Sequence, residues 1–538
     1  MGCKPRVAMK ACSASLPILL TGGALALAGC GTDLSLREGA GAPHSNNNSS
    51  NDNRSAPYAG VAEDAGAAAP PVQVPAFNAY VEVKHDPFST FAADVDSASY
   101  DIFVKSMDEG AGLPAPITVR SEEFVNFFTY AYPAPDPRAA DPFAIHLDLG
   151  FSPTGATHLL RVGIQGKDLL ADRPPANLVF LIDTSGSMAQ ADKLPLVQEM
   201  LRSALDVLQP DDRISVVTYS GNTEVALPVT EVRDRVRIEA SIVGLGSGGS
   251  TAGAAGLQLA YDQAAAGFIR GGVNHILLCT DGDFNVGPSS TTELVQLVED
   301  RRRTGVTFTA LGFGRDNLND DMMEAISNAG NGIYRVISGV KTAERYVATK
   351  LLSDVVHIAK DVKLQVEFNP EHVLAYRQVG YENRQLADED FRDDVVDAGE
   401  IGSGHQMTAL YEVVLAGGQV PAPEGAPAMT TGDPVEGARE VLPGELVRVK
   451  LRYKFPGATE ADPATELSAS LGPDDAIDVL EDESAFAWAV ATFAGRMAYN
   501  PFVSSADVAV AAPILSSAAT AERRAFAALC EAVALRLP

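Results

Sequence analysis

The sequence predicts an α/β architecture: a doubly wound, mostly parallel sheet inserted in a β-sandwich-like domain, with a helical segment closing the chain. Three observations carry this. Unbroken apolar runs such as Leu178-Val-Phe-Leu-Ile182 and Ile276-Leu-Leu-Cys279 alternate with helical stripes, the pattern of strands buried on both faces of a parallel sheet. On either side of that block the period drops to two, in Ala144–Leu149 and His158–Ile164 before it and in Val362–Phe368, His405–Val414 and Leu446–Tyr453 after it. A hydrophobic fraction of 46% with 21% charged residues makes most of the 538 residues globular, with room for two or three domains.

Residues 1–29 read as a lipoprotein signal peptide. Lys4, Arg6 and Lys10 form a basic start, Leu16 to Ala28 a short apolar stretch, and Leu27-Ala28-Gly29-Cys30 a bacterial lipobox. The apolar stretch is too short to span a membrane and is broken by Gly22-Gly23. Cys30 is therefore expected to become the lipidated N-terminus, tying the mature chain to a membrane of the bacterial cell envelope, outside the cytoplasm. Gly31 after it, in place of Asp, favours the outer membrane in a two-membrane host. With Cys3 and Cys12 removed, Cys279 and Cys530 remain as thiols, read as core residues and not as a disulfide. Residues 30–75 are rich in Asn, Ser, Asp, Gly, Ala and Pro, including Ser45–Asn53, and read as a disordered tether. Its span as a flexible coil is on the order of 35 to 40 Å.

Order is expected from residue 76. Between 76 and 170 lie a helix ending near Met107, a second over Ser121–Tyr130 capped by Ser121 and halted by Pro133, and the first strands of the β-rich domain. Asp94 and Asp96 have no EF-hand glycine or distal Glu, so a turn-and-cap role is the reading.

The α/β domain is placed at 171–355. Ile214–Tyr219, Val306–Leu311 and Gly332–Ile337 supply further strands; Leu194, Val197, Leu201, Leu205 and Leu208 mark one helix, Leu294, Leu297 and Val298 another. Asp183, Ser185 and Ser187 alternate just past the end of the strand at Leu178, with Gly186 allowing a sharp turn, so three oxygen side chains can converge. Ser250-Thr251, in the loop Gly246–Gly253, offers another hydroxyl, and Asp281 ends a second buried strand. Strand carboxyl ends are where open parallel sheets place ligands, and hydroxyls with carboxylates suit a hard divalent cation: Mg2+ first, Mn2+ or Ca2+ next. Tyr219-Ser-Gly-Asn222 ends a strand at the same edge. Gly244-Leu-Gly-Ser-Gly-Gly249 satisfies G-x-G-x-x-G but does not follow the first strand of the fold, which argues against a dinucleotide.

This D-x-S-x-S, Thr, Asp set resembles the metal-ion-dependent adhesion site of von Willebrand factor A-type (VWA) domains. The resemblance implies that Ser185, Ser187 and Thr251 ligate the metal, that Asp183 and Asp281 hold its water ligands, and that one open position accepts a carboxylate from a partner protein. A second resemblance rests on Asp94-Val-Asp-Ser-Ala-Ser-Tyr100, Val119-Arg-Ser-Glu-Glu-Phe-Val-Asn-Phe-Phe128 and Tyr132-Pro133, which look like the N-terminal region of a family of bacterial A-domain lipoproteins with a C-terminal region of uncharacterised function.

Residues 356–538 form the β-rich C-terminal region, whose strands are expected to make one sandwich with those before Ile164, followed by helices at Ser484–Ala498 and Ala519–Leu537. The balance of 41 Lys+Arg against 70 Asp+Glu argues against nucleic acid. Hydrolase, P-loop and zincin motifs are missing from the sequence, and Asp281 as a general base has no second metal cluster or activated nucleophile beside it. The expectation is a non-enzymatic, lipid-anchored protein that binds an Asp- or Glu-bearing protein ligand through the metal. The alternative is an envelope assembly factor or scaffold in which the metal is only structural.

Overall fold

The computed structural model describes residues 73–537 except 109, 111, 137, 156, 250–252, 283–290, 315–318, 436–439, 460–461, 481 and 518–519. The signal peptide, Cys30, the tether up to residue 72 and Thr251 lie outside the described residues. Strands and helices are numbered from the N-terminus.

Strand β5 (Ala176–Asp183) is buried along its whole length. It pairs in parallel with β6 (Arg213–Tyr219) and with β8 (Val273–Thr280). The sheet continues through β9 (Thr307–Phe313) to β10 (Tyr334–Ile337) on one side and ends at β7 (Thr223–Glu231) on the other. Alternation along β5 sorts its side chains: Leu178, Phe180 and Ile182 enter one core, Val179 and Leu181 the opposite one. Helices α3 (Leu194–Val207), α4 (Arg235–Val243) and α8 (Val340–Thr349) cover the first face. The second is covered by α5 (Gly253–Ala266), α6 (Thr291–Arg302) and α7 (Asp320–Ala329). The short α9 (Leu351–Val355) leads out. The expected doubly wound, mostly parallel sheet is the one observed. Its antiparallel member, β7, was not expected: Pro228 interrupts its pattern, and the strand sits at the sheet edge, where a proline without an N–H is tolerated.

The flanking segments close into a sandwich. One sheet runs β1 (Val81–Glu82), β12 (Val373–Val379), β14 (Gln406–Leu415), β4 (His158–Gly166), β3 (Phe143–Phe151). In the other, β11 (His357–Phe368) has β15 (Val447–Lys454) and then β16 (Thr465–Leu471) on one side; β13 (Gly399–Gly402) and β2 (Phe88–Ala92) share its other side end to end. Antiparallel register sets Val162 opposite Ala409, so strands from before and after the α/β domain pair directly. Val162, Leu364, Val366, Ala409, Val449 and Leu451 fill the space between the sheets. Both crossings between domains pass one turn: Gly166 N–H donates to His405 O (2.8 Å), Gly404 N–H to Lys167 O (3.0 Å) and Ser403 N–H to Val356 O (2.8 Å).

Helices from the two chain ends share a third core. α1 (Ala98–Asp108) and α2 (Ser121–Phe127) pack with α10 (Asp482–Met497), α11 (Ser505–Ser516) and α12 (Ala521–Val533) over Leu159 and Leu410 of the sandwich. Rings hold it together: Tyr100 stacks on Phe127 at 3.6 Å between centroids, and Phe128 meets Phe486 edge-on at 5.2 Å. Ser121 is not the cap of α2; Arg120 takes that position without a side-chain cap bond, and the helix stops at Phe127 instead of reaching Tyr130. Cys279 and Cys530 are buried free thiols, as expected. Among the described residues no helix is long and apolar enough to cross a membrane.

Asp94 and Asp96 do more than form a turn. Asp94 Oδ1 accepts from Asp96 N (2.9 Å), and Arg384 of the sandwich binds Asp94 (3.0 Å), Asp96 (3.1 Å) and Glu324 of α7 (3.4 Å). Nearby, Arg335 of β10 grips Asp354 with two bonds (3.1 and 3.0 Å) and donates to Ser97 Oγ at 2.8 Å. His405 adds its Nε2 to Asp354 at 3.1 Å; its Nδ1 accepts from Gly402 N–H, so the proton sits on Nε2. These charges weld the N-terminal segment, the α/β domain and the sandwich to one another.

Candidate functional site

The site forms where β5, β6 and β8 end together. Register places Asp183 opposite Tyr219, and Ile182 opposite Cys279, so Thr280 and Asp281 come level with the end of β5. Asp183 is fully buried. Its Oδ1 accepts from Ser185 N–H at 2.8 Å, and its Oδ2 accepts from Tyr219 O–H at 3.3 Å and Thr280 O–H at 3.2 Å. Three donors from three segments hold the carboxylate in one orientation. Burial pushes its pKa above the ordinary aspartate value and the nearby Asp281 adds to this, while the bonds from Ser185 and Thr280 oppose it. Burial also pushes the Tyr219 hydroxyl well above its usual value, keeping it a donor.

Past β5 the chain turns through a short 3-10 helix, Gly186–Ala189, and the Ser185 and Ser187 hydroxyls come to 2.9 Å from each other. Ser185 is buried and Ser187 exposed, so the pair faces solvent on one side. A glycine loop closes over this turn: Gly248 N–H donates to Thr184 O (2.7 Å) and Gly186 N–H to Gly249 O (3.3 Å). Gly249 has φ of +91°, and a Cβ there would stand 3.0 Å from Gly221 N, so this loop and Ser220-Gly221 need a residue without a side chain. The G-x-G-x-x-G run is thus a loop that follows α4, with Gly244 as its C-cap. Thr251, two residues beyond Gly249, lies outside the described residues.

The structure thus gathers Asp183, Ser185, Ser187 and Asp281 at one sheet edge, with Tyr219 beneath. Sequence reasoning missed Lys193. Its ammonium lies 3.0 Å from Asp281 Oδ2 with both side chains buried. The only hint in the sequence is a lone Lys before the helix start Leu194-Pro195; its partner is 88 residues away. The donors fit a hard divalent cation: two adjacent hydroxyls on the open side, carboxylates behind them, and, among the described residues, no His or Cys ligand. When bound, such an ion supplies a Lewis-acidic position for an anionic group. Lys193 opposes its entry, because it already offsets the charge of Asp281.

A model of the von Willebrand factor type A domain matches residues 177–345, one described as von Willebrand factor matches 73–161, and one described as "Uncharacterized protein YfbK, C-terminal" matches 353–535. The chain is 38% identical over 435 residues to protein YfbK of Escherichia coli (strain K12), covering 80% of this chain and 74% of that one. It is 29% identical over 201 residues to inter-alpha-trypsin inhibitor heavy chain H2 of Mus musculus, covering 34% of this chain and 21% of that protein. Among solved structures, a von Willebrand factor type A protein from Catenulispora acidiphila aligns over 76% of this chain and 90% of its own, at 16% identity and a TM-score of 0.39.

Proposed function

Because this chain belongs to the family of bacterial VWA-domain proteins that carry a YfbK-type C-terminal region, we propose that it is a lipid-anchored, extracytoplasmic binding protein. Its VWA domain takes hold of a protein partner through a divalent cation bridged to an Asp or Glu of that partner, and it carries out no catalysis. The observation that carries this reading is the oriented edge: Asp183 held by Ser185, Tyr219 and Thr280, with the Ser185–Ser187 hydroxyls above it. A cation bound there by neutral hydroxyls keeps its charge unsatisfied, so an incoming carboxylate completes the shell. Mg2+ is the first candidate ion. Support for the address comes from the lipobox Leu27–Cys30 and its apolar lead.

Calorimetry with Mg2+ and Mn2+ tests the site. Wild type is expected to bind one ion at this edge and Asp183→Ala to lose it while circular dichroism stays unchanged; equal binding by both folded proteins would sink the reading. The address is tested separately: Cys30→Ser should abolish labelling by a radioactive fatty acid and move the protein from the membrane fraction to the soluble one.

A scaffold or envelope assembly role is the second reading, favoured by the polar contacts that join the VWA domain to the sandwich, Glu324 to Arg384 at 3.4 Å and Asp354 to His405 at 3.1 Å. Partner binding that survives chelator and Asp183→Ala alike would select it.

A further inference from the structure

Away from that edge, the α/β domain meets the sandwich across a cavity of about 320 Å³ with an acidic lining that includes Asp94, Asp96, Glu299, Asp397 and Glu400 beside Arg384. Asp397 and Glu400 also belong to a tighter group. One carboxylate oxygen from each of Asp361, Asp397 and Glu400 lies within 4.8 Å of the other two. Asp361 stands at the irregularity in β11, where pairing with β15 shifts between Lys360 and Lys363, and its φ is +53°. Bulges of this kind re-aim a side chain.

Cations account for part of this charge. Arg302 of α6 meets Asp397 at 2.5 Å, and Lys454 Nζ stands 3.9 Å from Asp361. Glu400 differs: it is only 8% exposed, and its Oε1, buried, has no hydrogen-bond partner among the described residues. A buried carboxylate oxygen without a donor, beside two other carboxylates, is costly unless a proton or a cation neutralises it.

We propose that Asp361, Asp397 and Glu400 form a second divalent-cation site, selective for Ca2+, which braces the VWA domain against the sandwich. Ligand type chooses the ion: three carboxylates, with no nitrogen or sulfur among them, suit a hard cation. Carboxylates that bind one edge or two supply the higher ligand number Ca2+ prefers. The acidic cavity gives hydrated cations a route in. Asp361 and Glu400 come from two paired strands of the sandwich, and Asp397 hands the connection to Arg302 of the VWA domain. The ion therefore sits at a joint, remote from the adhesion-type edge, and does not depend on that edge being functional.

The test uses the full chain in detergent with Ca2+ alone as probe. The Asp183→Ala protein, whose first site is disabled, is expected to bind one Ca2+ by calorimetry and to gain several degrees in melting temperature with Ca2+ but not with Mg2+. Adding Glu400→Gln should abolish both effects while the double variant still melts cooperatively in chelator. A folded Asp183→Ala protein that takes up no Ca2+, or Ca2+ uptake that persists after Glu400→Gln, would overturn the proposal. If Asp183→Ala does not fold, Glu400→Gln alone decides: loss of one Ca2+ equivalent from the wild-type stoichiometry supports the site, and an unchanged stoichiometry refutes it.

Discussion

Lys193 sets the terms on which any cation enters the edge formed by Asp183, Ser185 and Ser187. Its pair with Asp281 is buried, at 3.0 Å, so a dication must either displace the ammonium or share the carboxylate with it. Lys193→Met should therefore tighten Mg2+ binding by roughly tenfold, about 1.4 kcal/mol. In chelator the same change should lower stability by about 3 kcal/mol, because it removes the cation that offsets the buried Asp281 carboxylate. Calorimetry and urea unfolding read the two effects, and weaker Mg2+ binding would contradict the argument. This residue shows the limit of reading sites from sequence. Asp183, Ser185 and Ser187 declare themselves because they are neighbours in the chain, and Asp281 because it ends an apolar run. Lys193 and the Arg384 contacts to Asp94 and Asp96 join residues 88 to 290 positions apart, and nothing local marks them.

Among elements, α5 is the most closely fitted to the site. A Cβ at Gly256 would come within 2.8 Å of Tyr219 Cβ and 3.2 Å of Leu181 Cδ1, so the helix lies directly on the ends of β5 and β6. Gly256→Ala should lift it, costing about 1–3 kcal/mol as overpacking does and weakening cation uptake through the disturbed Tyr219–Asp183 bond. An unchanged melting temperature together with unchanged calorimetry would show that the helix yields without cost. Elements whose pattern is decided by burial were legible: β5, β8 and α3 follow their apolar residues almost to the residue. Those decided by position in the fold were not. β7 is an edge strand with an internal proline, and α11 buries only Ala511 and Leu515 and carries Pro513, so neither shows a clear period.

For the molecule as a whole, acid should act at the seam between domains. His275 of β8 is buried and His357 of β11 half-buried, with ring centroids 6.3 Å apart. Burial holds His275 down at about 3, with His357 lowering it further and Asp354 opposing. Burial likewise holds His357 at about 4, with His405 adding to the drop and Asp354 opposing. The unfolded chain protonates both near 6.5, so between that pH and about 4 it binds more protons than the folded chain, and stability falls as pH falls. Each histidine removes up to about 1.4 kcal/mol per pH unit in that window. Buried carboxyls raised by their own burial, such as Glu122 and Asp96, act in the opposite direction. The readout is therefore the difference in unfolding free energy between wild type and His275→Gln, which should shrink steadily from pH 6.5 to 4; a constant difference would remove His275 from the account. The turn at Gly402–His405, which receives both chain crossings, also decides how the protein carries a mechanical load. Tension applied at the carboxyl edge of the VWA domain reaches the sandwich through β4 and β11 together, and each is an interior strand with neighbours on both sides. Their antiparallel bonds lie across the strands, so a lengthwise pull shears many at once instead of peeling them singly, and the two strands divide the force.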